Sequence, residues 1–173
     1  MSRTKTVSDA DVFAAIRLLL AQGGERAVAF ASVARATRLS APTLVQRYGS
    51  RDGMVRAALM AAWDGLDAAT AAAAAETPLT ADGARALLKR LSSGTTEACD
   101  LALLAADFRD PTLRARAATW RAAVETALAL RLGRGATGRE AAAMLFAVWQ
   151  GQLVWACAGG KTFRLKAAVR HLG

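Results

Sequence analysis

Pro42, Pro78 and Pro111 are the only prolines in 173 residues, and each stands where a helix would begin or end rather than inside one. Proline removes a backbone donor and clashes with the preceding turn, so confining it to such places leaves long stretches open to helix. Alanine, the best helix former, fills much of the rest. No long alternation of β-branched and polar residues suggests a sheet. The chain is therefore expected to be all-α. Apolar residues make up 54% of it, enough for a sizeable core, although only 6% are aromatic.

Periodicity and punctuation predict the order of elements. Ser8 caps a first helix whose stripe is Val12, Phe13, Ile16, Leu19 and Leu20, and Gly23-Gly24 stops it. Two short helices follow, over about 30–37 and 41–48, joined by a tight turn at Arg38-Leu39-Ser40. Pro42 falls in the first turn of the second of these, where its missing N–H costs nothing. Gly49-Ser50 then breaks the chain before a long fourth helix over about 51–75. Further helices are expected over about 80–93, 95–108, 111–132, 138–158 and 161–172. The division is read as 1–52 and 53–173, a small three-helix domain joined by the long fourth helix to a larger helical one.

The net charge is +9, of which +5 lies in the first 57 residues and +4 in the other 116. A basic bias at one end suits a polyanion. Met1 to Lys5 reads as a basic arm, without the apolar run that a secretory signal needs. Cys99 and Cys157 form no CxxC and read as reduced cytoplasmic thiols. Ala141 to Ala158 is almost wholly apolar, but Gln150, Gly151 and Gln152 interrupt it. It reads as a helix buried on both sides, between its own core and a second copy of the chain, not as a membrane span.

Catalysis is not expected. His171 is the only histidine, so neither a histidine dyad nor a multi-histidine metal site can form. No glycine-rich phosphate loop is present, and Asp100 and Asp107 read as a solvated face. No catalytic residue, metal or cofactor is assigned.

The segment Ser32 to Tyr48 carries the functional reading. Two short helices across a tight turn need a small residue where they touch, and Ala34 supplies it. Leu39 can fill the angle between them, and Leu44 and Tyr48, four apart, mark the inner face of the second helix. Thr43, Gln46 and Arg47 then point outward, with side chains suited to base edges or phosphates. This is the pattern of a helix-turn-helix, whose second helix enters the major groove of DNA. Thr37, Ser40, Tyr48 and Arg51 complete the expected contact set, with Arg47 and Arg51 as phosphate holders.

The same residues resemble the TetR family of transcriptional regulators. Val33-Ala34, Leu39-Ser40, Leu44, Tyr48 and Ser50-Arg51-Asp52 match the family pattern over about residues 10–60. Three positions depart from it. Arg38 stands where the turn usually has glycine, Val45 replaces an aromatic, and Ala29 sits where a serine or threonine often caps the second helix. The resemblance implies a cytoplasmic homodimeric repressor on a palindromic double-stranded operator, released by a small effector. It also implies an effector pocket in the larger domain, for which Trp63, Asp100, Phe108, Trp120, Phe146 and Trp149 are the candidates. Such a pocket suits an apolar or cationic molecule, with Asp100 or Glu97 facing the cation. Gly151, Leu153 and Trp155, with Leu165 and Val169 from the last helix, are the expected dimer residues. The alternative is a helical ligand-binding or interaction protein whose basic end only aids solubility.

Overall fold

A computed structural model describes residues 7–92, 108, 110–157 and 159. Among them are seven α-helices, one short 3-10 turn and no strand, so the fold is all-α. The helices are α1 (Asp9–Gly23), α2 (Phe30–Thr37), α3 (Ala41–Tyr48), α4 (Arg51–Glu76), α5 (Ala81–Leu91), α6 (Pro111–Leu132) and α7 (Gly135–Cys157). The expected helices over 95–108 and 161–172 lie outside the described residues, apart from Phe108. The chain forms two compact units, Met1–Ala62 and Trp63–Gly173. The division thus falls within α4, ten residues beyond the 52/53 boundary read from the sequence.

In the first unit α1, α3 and α4 begin where a serine side chain satisfies a free amide. The Ser8 hydroxyl accepts from the Asp11 N–H at 3.2 Å, and the Asp11 carboxylate accepts in return from the Ser8 N–H at 3.1 Å. Gly24, with φ +62°, ends α1 by donating to the Leu20 carbonyl at 2.8 Å. A 3-10 turn, Glu25–Ala27, leads to α2. Val12, Ile16, Leu20, Val28, Val33, Leu44, Met54, Ala58 and Leu59 make the core. Phe13 and Leu19, expected beside Val12 and Ile16, are half-buried at its edge.

The second unit is a bundle of α5, α6, α7 and the end of α4. Asp110 caps α6 by accepting from Thr112 and Leu113 N–H, and Pro111 takes the first helical position. A two-residue connection turns α6 back as a hairpin on α7, and α7 begins at Gly135, three residues before the expected start. Leu87, Leu88, Leu113, Val124, Leu128, Leu145 and Trp149 are among its buried residues. Polar pins cross this core. Arg116 bridges Asp64 at 2.8 Å and Asp67 at 2.5 Å. Arg131, 5% exposed, donates to the carbonyls of Ala127, Ala74 and Thr77 and to the Thr77 hydroxyl, all within 3.0 Å. Its positive charge thus closes the carbonyl end of α4, where a helix carries partial negative charge. Burial pushes the guanidinium below its ordinary pKa.

Among the described residues no helix is long and apolar enough to cross a membrane.

Candidate functional site

The α2–turn–α3 corner is built around one residue in the left-handed region, Arg38, at φ +60° and ψ +23°. A side chain there is strained, which is why glycine is usual at such a turn. The Thr37 hydroxyl donates to the Val33 carbonyl at 2.8 Å and so belongs to the turn itself. Ser40 caps α3 by accepting from the Thr43 N–H at 3.2 Å, and the two hydroxyls pair at 2.7 Å. Ala29 has no capping oxygen, but the loss is partly made good from within α2. The Ser32 hydroxyl accepts from the Ala29 N–H at 2.9 Å, meeting one of the amides that a helix start leaves free.

Leu44 is fully buried, while Val45, Gln46 and Arg47 are exposed along α3 and Thr43 is half-buried. Arg35 and Arg38 are exposed on α2 and in the turn. The Tyr48 ring lies 5.9 Å from that of Phe13, and its hydroxyl donates to the Asp9 carboxylate at 2.5 Å. Burial, and then the bond to and charge of Asp9, push the Tyr48 pKa up to about 12. The Arg47 guanidinium donates to the Val7 carbonyl at 3.1 Å and stands 3.6 Å from Asp9. The backbone is tight where α3 passes into α4: a side chain at Gly53 would meet the Tyr48 carbonyl at 2.6 Å.

Arg51 is engaged within the protein. Its Nε donates to the Val28 carbonyl at 2.8 Å, one Nη to the Glu25 carbonyl at 2.5 Å, and the other pairs with Asp52 at 2.9 Å. The guanidinium expected to hold a phosphate ties α4 to the 3-10 turn in this structure. Of the seven sequence candidates, Ser40, Gln46 and Arg47 are exposed, and Thr37, Ser40, Thr43, Arg47, Tyr48 and Arg51 bond within the protein. The exposed Arg35 and Arg38 were not among them. Their outward position follows from the α2 and turn register that the sequence already gave.

The second unit holds a cleft of about 440 Å³. Trp63, Phe108, Trp120 and Phe146 line it, as the sequence had grouped them, together with Arg114, Ala117, Ala118, Arg121, Ala147 and Gln150. Trp149 does not line it. It is buried behind, 5.8 Å from Phe146 and 6.3 Å from Trp120 between ring centroids. Asp100 and Glu97, on which the expectation of a cationic effector leaned, lie outside the described residues. The described lining carries two arginines and no carboxylate.

Along α7, Met144 and Trp155 are exposed, Trp155 at 69%, and Val148 and Gly151 between them are half-buried. These four fall at helical spacing on one stripe, with exposed Val154 beside it. Leu153 is half-buried; Leu165 and Val169 lie outside the described residues.

No family model matches the sequence, and no curated protein is similar enough to be matched to it. Solved structures do match. A transcriptional regulator from Rhodococcus sp. Rha1 superposes with a TM-score of 0.77 at 20% identity, over 95% of this chain and 93% of that one. A TetR-family transcriptional regulator from Mesorhizobium loti gives 0.67 at 15%, over 99% and 93%. The multidrug binding protein EbrR, solved with imidazole, gives 0.69 at 25%, over 95% and 92%, and it has also been solved with proflavin. The all-α architecture is therefore shared along nearly the whole length of these regulators.

Proposed function

We propose that this chain, which has the fold of the TetR-family transcriptional regulators, is a sequence-specific DNA-binding repressor that acts as a homodimer and is released by a small effector. The observation that carries the reading is α3, which buries Leu44 beneath it and presents Gln46 and Arg47 outward next to a turn bearing Arg38. Amide and guanidinium groups on an exposed helix of this length fit the major groove, where they can pair with base edges. Thr37, Ser40, Thr43 and Tyr48 would then hold that helix in position from behind.

The apolar stripe of α7 supports pairing with a second copy, since exposed aromatic and aliphatic side chains at helical spacing favour a partner over water. A two-fold pair presents two reading helices about one DNA turn apart, roughly 34–36 Å, on a palindromic site. The cleft would take the effector. Trp63 on its wall belongs to α4, the helix that also carries Arg51 to Ala62 in the first unit. A ligand that prefers one setting of α4 shifts the population between DNA-competent and released forms, by no more than its difference in affinity for the two. The protein would work in the cytoplasm, without catalysis.

Selection of bound sequences from random duplex DNA tests the reading. A palindromic consensus, with binding that weakens steeply with salt yet discriminates sequence, is the expected result. Recovery of no consensus would overturn it.

A further inference from the structure

We propose that the cleft of the second unit takes a flat aromatic anion, a ring system bearing a carboxylate, rather than a cation; this rests on the reading of that cleft as an effector site. The walls set the ring requirement. Trp63, Trp120 and Phe146 pack in sequence, with centroids 5.5 Å and 5.8 Å apart, around a space of the size that small molecules occupy. Aromatic faces and edges of this kind accept another flat ring well.

The orphaned donors set the polarity. The indole N–H of Trp120 donates to the Thr70 hydroxyl at 3.0 Å, and that of Trp149 to the Ser92 hydroxyl at 2.7 Å. Trp63 belongs to the same cluster and is only 3% exposed, yet its Nε1 is buried with no acceptor. The amide nitrogen of Gln150, another lining residue, is in the same condition. A buried donor without a partner is unfavourable, and a ligand that brings an acceptor relieves it. No rotation exchanges an indole N–H for an acceptor, so a ligand that reaches the Trp63 Nε1 must bring an oxygen to it.

Charge points the same way. Arg114 and Arg121 line the cleft and are exposed, with the Arg121 guanidinium carbon 5.4 Å from the Phe146 ring centroid. Glu125 pairs with the Arg121 Nε at 2.7 Å, and Arg114 donates to the Phe108 carbonyl at 3.4 Å, so each keeps further N–H groups for a carboxylate. A cation in the same place meets two like charges and no carboxylate from the described lining.

Calorimetric titration of the full chain, without DNA, with 2-naphthoate, 2-methylnaphthalene and 2-naphthylmethylammonium tests this. Naphthoate is expected to bind at least about tenfold more tightly than the ammonium compound. Trp63→Phe keeps an aromatic wall but removes the donor together with the pyrrole ring, and should weaken naphthoate about tenfold more than it weakens methylnaphthalene. Arg121→Gln, at an exposed position, provides the same contrast should Trp63→Phe disturb the fold. Ammonium binding as tight as naphthoate, naphthoate binding indifferent to both substitutions, or no binding of any probe would each overturn the proposal. DNA binding by the same preparations separates the two readings. A selected operator without naphthoate preference removes the anion alone, and naphthoate preference without an operator removes the regulator alone.

Discussion

Arg51 donates through Nε to the carbonyl of Val28 at 2.8 Å, across 23 residues of sequence. With the Glu25 carbonyl on one Nη, this bond fastens the start of α4 to the turn ahead of α2. Arg51→Ala should therefore lower the unfolding free energy by about 1–3 kcal/mol, since two carbonyls lose a charged donor. It should leave the salt dependence of DNA binding unchanged. Urea denaturation, together with binding at several salt concentrations, separates this from a phosphate contact, whose loss would reduce the salt slope by about one unit.

Gln46→Ala should do the opposite. The side chain is exposed on α3, so stability should move by less than about 0.5 kcal/mol. Sequence preference should relax by about 1–3 kcal/mol at one base pair per half-site. Equal losses on selected and random duplexes would show that Gln46 reads no base.

Arg38 is the one non-glycine residue at positive φ among the described residues. Arg38→Gly should relieve a strain of about 1–2 kcal/mol, less about 0.4–1 kcal/mol for the added freedom of the unfolded chain. A rise of a few degrees in melting temperature is the expected result. DNA affinity should fall in the same variant, because an exposed guanidinium beside the reading helix is lost.

Tyr48 is the only tyrosine in the chain, so its titration can be followed by near-ultraviolet absorbance alone. The folded protein should titrate near pH 12 and the urea-unfolded chain near pH 10, because burial and the Asp9 carboxylate oppose a phenolate. The folded state then holds this proton more tightly. Its share of stability is complete below about pH 10 and is lost as the pH rises through 12. Tyr48→Phe should flatten the stability profile across that window, and a folded-state midpoint near 10 would refute the bond to Asp9.

Trp155→Glu should give monomers, and with them lost operator binding, while helix content is retained. Trp155 is 69% exposed in the single chain, so the substitution need not disturb that chain's own core. Light scattering on the wild-type protein at micromolar concentration is the direct check. A monomer mass would remove the paired half-sites from the proposed mechanism.

Local chemistry was the part of the fold that could be read from sequence. Asp110-Pro111 marked the start of α6 because a capping carboxylate and a proline at the first helical position act within one turn of chain. The bounds of α3 followed likewise from Ser40, Pro42 and Gly49. What escaped reading depends on distant backbone. Nothing around Arg51 announces that the carbonyls of Glu25 and Val28 face it, and nothing around Arg131 announces the carbonyls of Ala74 and Thr77. The cleft was legible as a set of large aromatic residues. Which of them face the space and which stand behind it, as Trp149 does, depends on how α6 and α7 are rotated, and Ala-rich helices leave that rotation weakly marked.

The placement of the aromatic rings has a practical consequence for watching this molecule unfold. Tyr48 lies in the first unit, while Trp63, Trp120, Trp149 and Trp155 all lie in the second. Each half thus carries its own chromophore, and no label is needed to follow them apart. Indole emission reports the loss of the larger half, and between pH 10 and 12 the phenolate absorbance that appears as Tyr48 is released reports that of the smaller. Coincident curves would mean that the helix running through both units, α4, melts as one cooperative element; separated curves would mean that it frays between them.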